Sequence, residues 1–180
     1  FMLSVNAQGA GIDDFDIFSE PGSTFKGLTQ AQLFELLQIA HDAIRRHKPN
    51  AVIVAPSIER FDEAGLSDML DFLALHDLRI QAISWHELEG APTDVAAHVA
   101  SARRLISARF AMKPWLSPTE IHINEYSAPQ NHLIPGWSVG WLAAFEAAGV
   151  DVANRACWQA APFWSACANG LNGLLLEDNF

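Results

Sequence analysis

The sequence is poor in cysteine, tyrosine and positive charge, and it contains no long apolar run. Two cysteines, Cys157 and Cys167, are too few for a disulfide framework, and their spacing is not a zinc pattern. A bridge and two free thiols both stay open. Lys and Arg number 11 against 21 Asp and Glu, a formal net charge of −10. Phosphate contacts need clustered Lys and Arg, so nucleic acid and anionic membranes are disfavoured as partners. No apolar run approaches the ~18 residues of a membrane span. Phe1-Met2-Leu3-Ser4 lacks the basic start and apolar stretch of a signal peptide, which says nothing of what precedes it. The composition fixes no compartment.

What is present is apolar and aromatic. Half of the residues are hydrophobic and 18% are charged, which excludes a disordered chain. The 180 residues suffice for one real core. Six Trp and 11 Phe accompany a single Tyr, an aromatic load suited to apolar or sugar-binding clefts.

Short apolar runs alternate with amphipathic stretches. Strands are expected at Phe15–Phe18, Ala51–Ala55, Ile80–Ser84, Glu120–Asn124 and Val150–Asn154. Thr29-Gln30-Ala31-Gln32 fits a capping box, and Leu33, Leu36, Leu37, Ala40 and Ile44 then share a helical face up to the stop at Lys48-Pro49-Asn50. Leu66, Met69, Leu70 and Leu73 mark a second helix. Thr93 is placed to cap a third, which carries Val95, Val99, Ala102, Leu105 and Ile106. A fourth runs from about Pro135 to Ala148, with Gly149 just past its end. The alternation predicts an α/β fold with a parallel sheet. The strand-to-strand step of about 34 residues fits a (β/α)8 barrel at ~31 per unit, and fits a doubly wound sheet too.

In both architectures function gathers where strands end. The ends read Ser19-Glu20-Pro21, Pro56-Ser57, Trp85-His86-Glu87, Glu125-Tyr126-Ser127 and Arg155-Ala156-Cys157-Trp158. Two carboxylates facing each other suit glycoside hydrolysis, one protonating the leaving oxygen while the other attacks or activates water. Trp faces suit stacking on sugar rings. Singly, each residue is better read as a solvated loop or core position; the joint placement carries the argument.

The segment Phe15-Asp16-Ile17-Phe18-Ser19-Glu20-Pro21 resembles the acid/base segment of clan A glycoside hydrolases, especially family 39, which ends barrel strand four. Phe25-Lys26-Gly27-Leu28-Thr29 and Lys48-Pro49-Asn50-Ala51 are similar to the same family. Ala55-Pro56-Ser57 resembles its strand five and Ala82-Ile83-Ser84-Trp85-His86 its strand six. Ile121-His122-Ile123-Asn124-Glu125-Tyr126-Ser127 resembles the strand-seven nucleophile segment, and Val150 to Trp158 strand eight. The resemblance implies a partial (β/α)8 (TIM) barrel, about strands four to eight, acting on a carbohydrate without a cofactor or metal. It implies Glu20 as general acid/base and Glu125 as nucleophile. Ser19, Trp85, His86, Asn124, Tyr126 and Trp158 would line the sugar site. The mechanism would be retaining, with carboxyls ~5–5.5 Å apart. Glu20 would have a raised pKa and Glu125 a lower one. Many members of the family are exported. Ser19 and Phe18 depart from the family's Asn and Trp; that Asn hydrogen-bonds the sugar 2-hydroxyl, and Ser lacks its amide.

Other motifs are weaker. Gly136-Trp137-Ser138-Val139-Gly140 matches the G-x-S-x-G elbow, but no His follows Ser138 and the expected setting is a helix. His86-Glu87 begins a zincin motif that fails at Gly90, and Gly9-Ala10-Gly11 is not a dinucleotide fingerprint. Two other functions therefore stand beside a glycosidase: a non-catalytic carbohydrate-binding descendant, and a serine hydrolase using Ser138. Counted against a barrel, residues 1–180 form one domain lacking strands one to three. The expectation is an open five-stranded sheet with exposed apolar edges, weakly active without the missing part of the barrel.

Overall fold

The computed structural model describes residues 11–126 and 134–156. Strand β1 spans Asp14–Asp16, β2 Val52–Ile58, β3 Ala82–Glu87, β4 Glu120–Tyr126 and β5 Val152–Arg155. All neighbours pair in parallel, and the sheet order is β1-β2-β3-β4-β5. A doubly wound sheet reverses its order at a switch point. Here the order never reverses, so right-handed crossovers put every connecting helix on one face. The sheet curls into a half-barrel, helices outside and a concave inner face. The doubly wound alternative is thereby excluded.

Helix α1 is a single turn at Pro21–Thr24, and α2 covers Gln30–His47. Its expected capping box is present. Thr29 Oγ1 accepts from Gln32 N at 3.3 Å, and Gln32 Oε1 accepts from Thr29 N at 2.9 Å. Helix α3 (Glu63–Leu75) is capped by Asp62, whose carboxylate accepts from Ala64 N at 3.1 Å. Helix α4 (Val95–Arg109) differs from expectation at its start. Thr93 does not cap it, because a 3-10 turn at Pro92–Asp94 comes first and Asp94 Oδ2 folds back to accept from Ala91 N at 3.0 Å. Helix α5 (Pro135–Ala148) begins on Pro135 and ends on Gly149, whose φ of 74° is the left-handed cap conformation that glycine adopts without a Cβ penalty. No helix of the described residues is long and apolar enough to cross a membrane.

Strand alternation sorts side chains by face. Ile53, Ala55, Ile83, Trp85, Ile121 and Ile123 point outward into the main core. There they meet Leu37 and Ile44 of α2, Leu66, Met69, Leu70 and Leu73 of α3, Val99 and Ile106 of α4, and Trp141 and Phe145 of α5. Truncating one such Leu to Ala costs about 2–5 kcal/mol. A buried carboxylate sits in this layer. Glu87 is buried, and its Oε1 accepts from Trp85 Nε1 and from His98 Nδ1, each at 2.7 Å. His98 in turn stacks on Phe61 with ring centroids 4.6 Å apart.

Strands β3 and β4 run further than the apolar runs suggested, whereas β1 ends at Asp16, before the expected Phe18. Trp85, His86 and Glu87 lie inside β3, and Glu125 and Tyr126 inside β4, rather than beyond them. The edges are also less apolar than expected among the described residues. Edge strand β1 carries Asp14 and Asp16, and β5 carries Asn154 and Arg155, with Val152 the exposed apolar residue.

Candidate active site

Two irregularities in the sheet build the site. The first is in β2, where the pairing with β3 slips between Pro56 and Ile58. Ser57 is the extra residue, with φ at 52°. Such a conformation is costly for a residue with a Cβ, by about 1–2 kcal/mol, and persists where its surroundings hold it. Ser57 N donates to Ser84 Oγ at 2.9 Å, and Ser57 O accepts from Glu20 N at 2.9 Å.

The second slip is in β4. Trp85 pairs with Ile123 and His86 with Glu125, so Asn124 is bulged out of the ladder. Ile121 and Ile123 face the helices, and simple alternation would send Glu125 after them. The bulge re-aims it. Asn124 and Glu125 both line the concave cavity, and Tyr126 returns to the helix side against Trp141 and Phe145.

Glu20 arrives from the chain after β1. Phe18 anchors that segment in the core, edge to face with Phe25. Glu20 itself is left-handed at φ 48°. Besides its own N–H bond to Ser57, it is held by Ser23 Oγ, which donates to Glu20 O at 3.1 Å, and by Thr24 Oγ1, which donates to Ser19 O at 2.7 Å.

These elements converge on His86, which is 1% exposed. Its Nδ1 lies 3.3 Å from Glu20 Oε1, and its Nε2 lies 3.3 Å from Ser57 Oγ. Asn124 Nδ2 donates to Ser57 Oγ at 3.0 Å and also to Asp16 Oδ2. Ser57 hydrogen-bonds Asp16 as well. With the Ser57 hydroxyl proton given to Asp16, the ring must donate from Nε2 to Ser57. The Nδ1 atom then faces Glu20 Oε1, and a proton between them would complete that hydrogen bond.

One oxygen each of Glu20 and Glu125 and one ring nitrogen of His86 lie within 4.8 Å of one another. The Glu125 carboxyl is raised above its ordinary value, foremost by burial; the His86 charge lowers it and the nearby Glu20 raises it. Partial burial beside a like charge thus outweighs the histidine at Glu125. Asp16 is pushed up to about 6, again mainly by desolvation, against hydrogen bonds from Ser57, Asn124 and the Phe18 backbone and the charge of His86. It remains open to water, yet it sits on a concave floor where protein atoms displace much of its hydration.

The cavity has a volume of about 460 Å³, and its lining includes Ser19, Ser57, His86, His122, Asn124 and Glu125. Four of the expected site residues thus line it, and Glu20 joins them through His86. Two do not. Trp85 is buried on the helix side between Phe61 and Glu87, and Tyr126 lies in the core, because both point outward from their strands. Trp158 lies outside the described residues. Asp16, Ser57 and His122 are cavity residues that the sequence reading had not singled out as site residues. Strand alternation back from the end of β1 was the available signal for Asp16.

Glu20, His86 and Glu125 also have the donor types of a cation site, at spacings that would need to close for bonds of ~2.0–2.2 Å. Ser138 lies in the first half of α5, its hydroxyl accepting from Arg155 Nη1 at 3.1 Å, which is not the setting of a nucleophile elbow.

No protein-family model and no curated protein sequence matches the chain. Among solved structures, it resembles N2152 from Neocallimastix frontalis at 28% identity and a TM-score of 0.70, over 83% of this chain and 37% of that one. A glucosidase from Croceicoccus marinus is similar at 17% identity and a TM-score of 0.63, over 79% and 31%. A 2,3-dimethylmalate lyase, of the PEP mutase/isocitrate lyase superfamily, is similar at 12% identity and 0.53, over 95% and 70%. The chain spans about a third of the length of the first two. The likeness to a glucosidase and to a lyase shows a shared α/β barrel-type fold, a fold that hosts unrelated chemistries. The chain has a partial α/β barrel, and nothing in these similarities singles out family 39.

Proposed function

We propose that the chain carries the paired-carboxylate centre of a retaining glycoside hydrolase acting on an oligo- or polysaccharide, in the manner of family 39. It would form strands four to eight of a barrel completed by a longer protein. The observation that carries this reading is the approach of Glu20 and Glu125 to within 4.8 Å, from the ends of β1 and β4. Retaining enzymes need a separation of ~5–5.5 Å, whereas inverting enzymes leave ~6.5–9.5 Å for a water.

Glu125 attacks the anomeric carbon while Glu20 passes a proton to the leaving oxygen. A glycosyl ester on Glu125 results. Glu20 then takes a proton from water, the water attacks the anomeric carbon, and Glu125 leaves as carboxylate. Ser19, His86 and Asn124 position the sugar and the two acids. Glu125→Gln tests the reading: turnover of aryl glycosides falls by about three orders of magnitude or more. Turnover at the wild-type rate would refute it.

A second reading has one observation behind it. Ser19 cannot offer the amide that family members direct at the sugar 2-hydroxyl, which suits a binding protein descended from a glycosidase. Sugar binding by the wild type with no turnover of any glycoside would favour it.

A further inference from the structure

All 11 Lys and Arg residues lie within the described residues, and none of them lines the cavity. The cations are used elsewhere. Arg45 binds the carbonyl of Ala51 and the side chain of Gln81, Arg103 the Thr119 carbonyl and Asp151, and Lys113 the Ala74 carbonyl and Asp77. Arg155, at the end of β5, reaches Ser138 on α5. The cavity itself presents Asp14, Asp16 and Glu125, with Glu20 at its rim.

A retaining mechanism uses two carboxylates and leaves Asp16 without a task. Asp16 is nevertheless fixed in the cavity by Asn124 and by Ser57, which also holds His86, and it stays open to the cavity. An ionised carboxylate only accepts hydrogen bonds. It therefore suits sugar hydroxyls and repels an anionic substituent on the same ring.

We propose that Asp16 is a specificity-determining substrate contact, accepting hydroxyl protons from an uncharged sugar and excluding one that bears a carboxylate. This rests on the glycosidase reading. A carboxylate among Asp14, Asp16, Glu20 and Glu125 finds no guanidinium or ammonium of this chain to pair with, only His86 and His122. Asp16 is ionised at neutral pH and protonated below about pH 6, so the exclusion weakens on acidification. The titratable groups that share this cavity with it are Asp14 on its own strand, Glu20 beyond it, His86 on β3, and His122 and Glu125 on β4.

The test compares matched 4-nitrophenyl glycosides and uronides of the gluco and galacto series, both anomers, at pH 7 and pH 5. The expected result is a kcat/KM for the neutral sugar at least about 100-fold above its uronide at pH 7, with the ratio shrinking at pH 5. Asp16→Asn narrows the pH 7 ratio by about tenfold or more and removes its pH dependence. Uronides cleaved as well as neutral sugars by the wild type would overturn the proposal, as would a ratio insensitive to both pH and Asp16→Asn. If no glycoside is cleaved, the catalytic reading fails while specificity is still read from binding of methyl glucoside against methyl glucuronide by saturation-transfer NMR. Equal binding, uronide preference, or no binding of either overturns the proposal on that arm.

Discussion

His86 sets its Nδ1 3.3 Å from Oε1 of Glu20 while being 1% exposed, so a buried imidazole meets a carboxylate at the rim of the cavity. The ring is fixed from behind by Ser57, and its charge is the main influence holding the raised Glu125 carboxyl down.

Removing that charge has a definite sign. In His86→Gln the Glu125 carboxyl loses its favourable neighbour and rises further. The nucleophile must be ionised, so the acid limb of kcat/KM moves to higher pH, and the rate near neutrality falls by about 10²–10⁴-fold as the proton relay is lost. A pH–rate profile from pH 4 to 8 checks this. An acid limb that stays in place or moves down would show that His86 acts only in packing.

Asp16 makes a second prediction, on stability. Its folded pKa of about 6 stands above the ordinary 3.8, so the folded chain holds the proton more tightly than the unfolded one. Stability from this group is greatest below the ordinary value and falls as pH rises toward 6. Above that, ionised Asp16 is a net cost. Asp16→Asn should therefore stabilise the protein at pH 7, by about 1 kcal/mol once the openness of the carboxyl to water is discounted. It should do so while reducing activity, the pattern of a residue kept for function. Urea unfolding at pH 7 reads this directly, and a variant less stable than wild type would count against a strained Asp16.

The Glu87–His98 pair predicts a loss of the same sign, but from a favourable contact rather than a buried charge. His98 is raised above its ordinary value by its hydrogen bond to Glu87, against partial burial, with the charges of Glu87 and Asp94 adding to the rise. A raised histidine contributes stability that is complete below its unfolded pKa of ~6.5 and is lost as pH rises through the folded value. His98→Ala leaves the buried Glu87 with Trp85 as its remaining partner among these contacts and costs about 1–3 kcal/mol at pH 6. Urea midpoints from pH 5.5 to 8.5 should fall more steeply for the wild type than for His98→Ala, which keeps the Asp16 contribution. Parallel curves would mean that the pair does not titrate with folding.

Features encoded by neighbouring residues were legible in the sequence. The Thr29–Gln32 box, the Pro135 start and the Gly149 stop each depend on a few adjacent positions, and each stands where expected. The β-α alternation needed only periodicity. The choice between barrel and doubly wound sheet needed strand order, which no local pattern holds. The site fared the same way. Glu20, His86 and Glu125 meet as the strand-end pattern anticipated, but the orientation of Glu125 depends on a bulge created by pairing with β3. The same register turns Trp85 and Tyr126 into the core. Thr93 lost its capping role to the preceding Pro92–Asp94 turn. The Glu125 shift follows from burial in the assembled cavity, a quantity that residue types alone do not carry.

With Glu125 as nucleophile and Glu20 as its acid partner, turnover passes through a glycosyl ester on Glu125. Incubation with aryl 2-deoxy-2-fluoro glycosides of neutral sugars, followed by proteolysis and mass spectrometry, tests it most directly. The fluorine slows release of the glycosyl ester more than its formation, so a retaining enzyme accumulates the adduct. One fluoroglycosyl group is expected on the peptide containing Glu125, and none in Glu125→Gln. An adduct on another residue, or steady glycoside hydrolysis with no adduct at all, would contradict it.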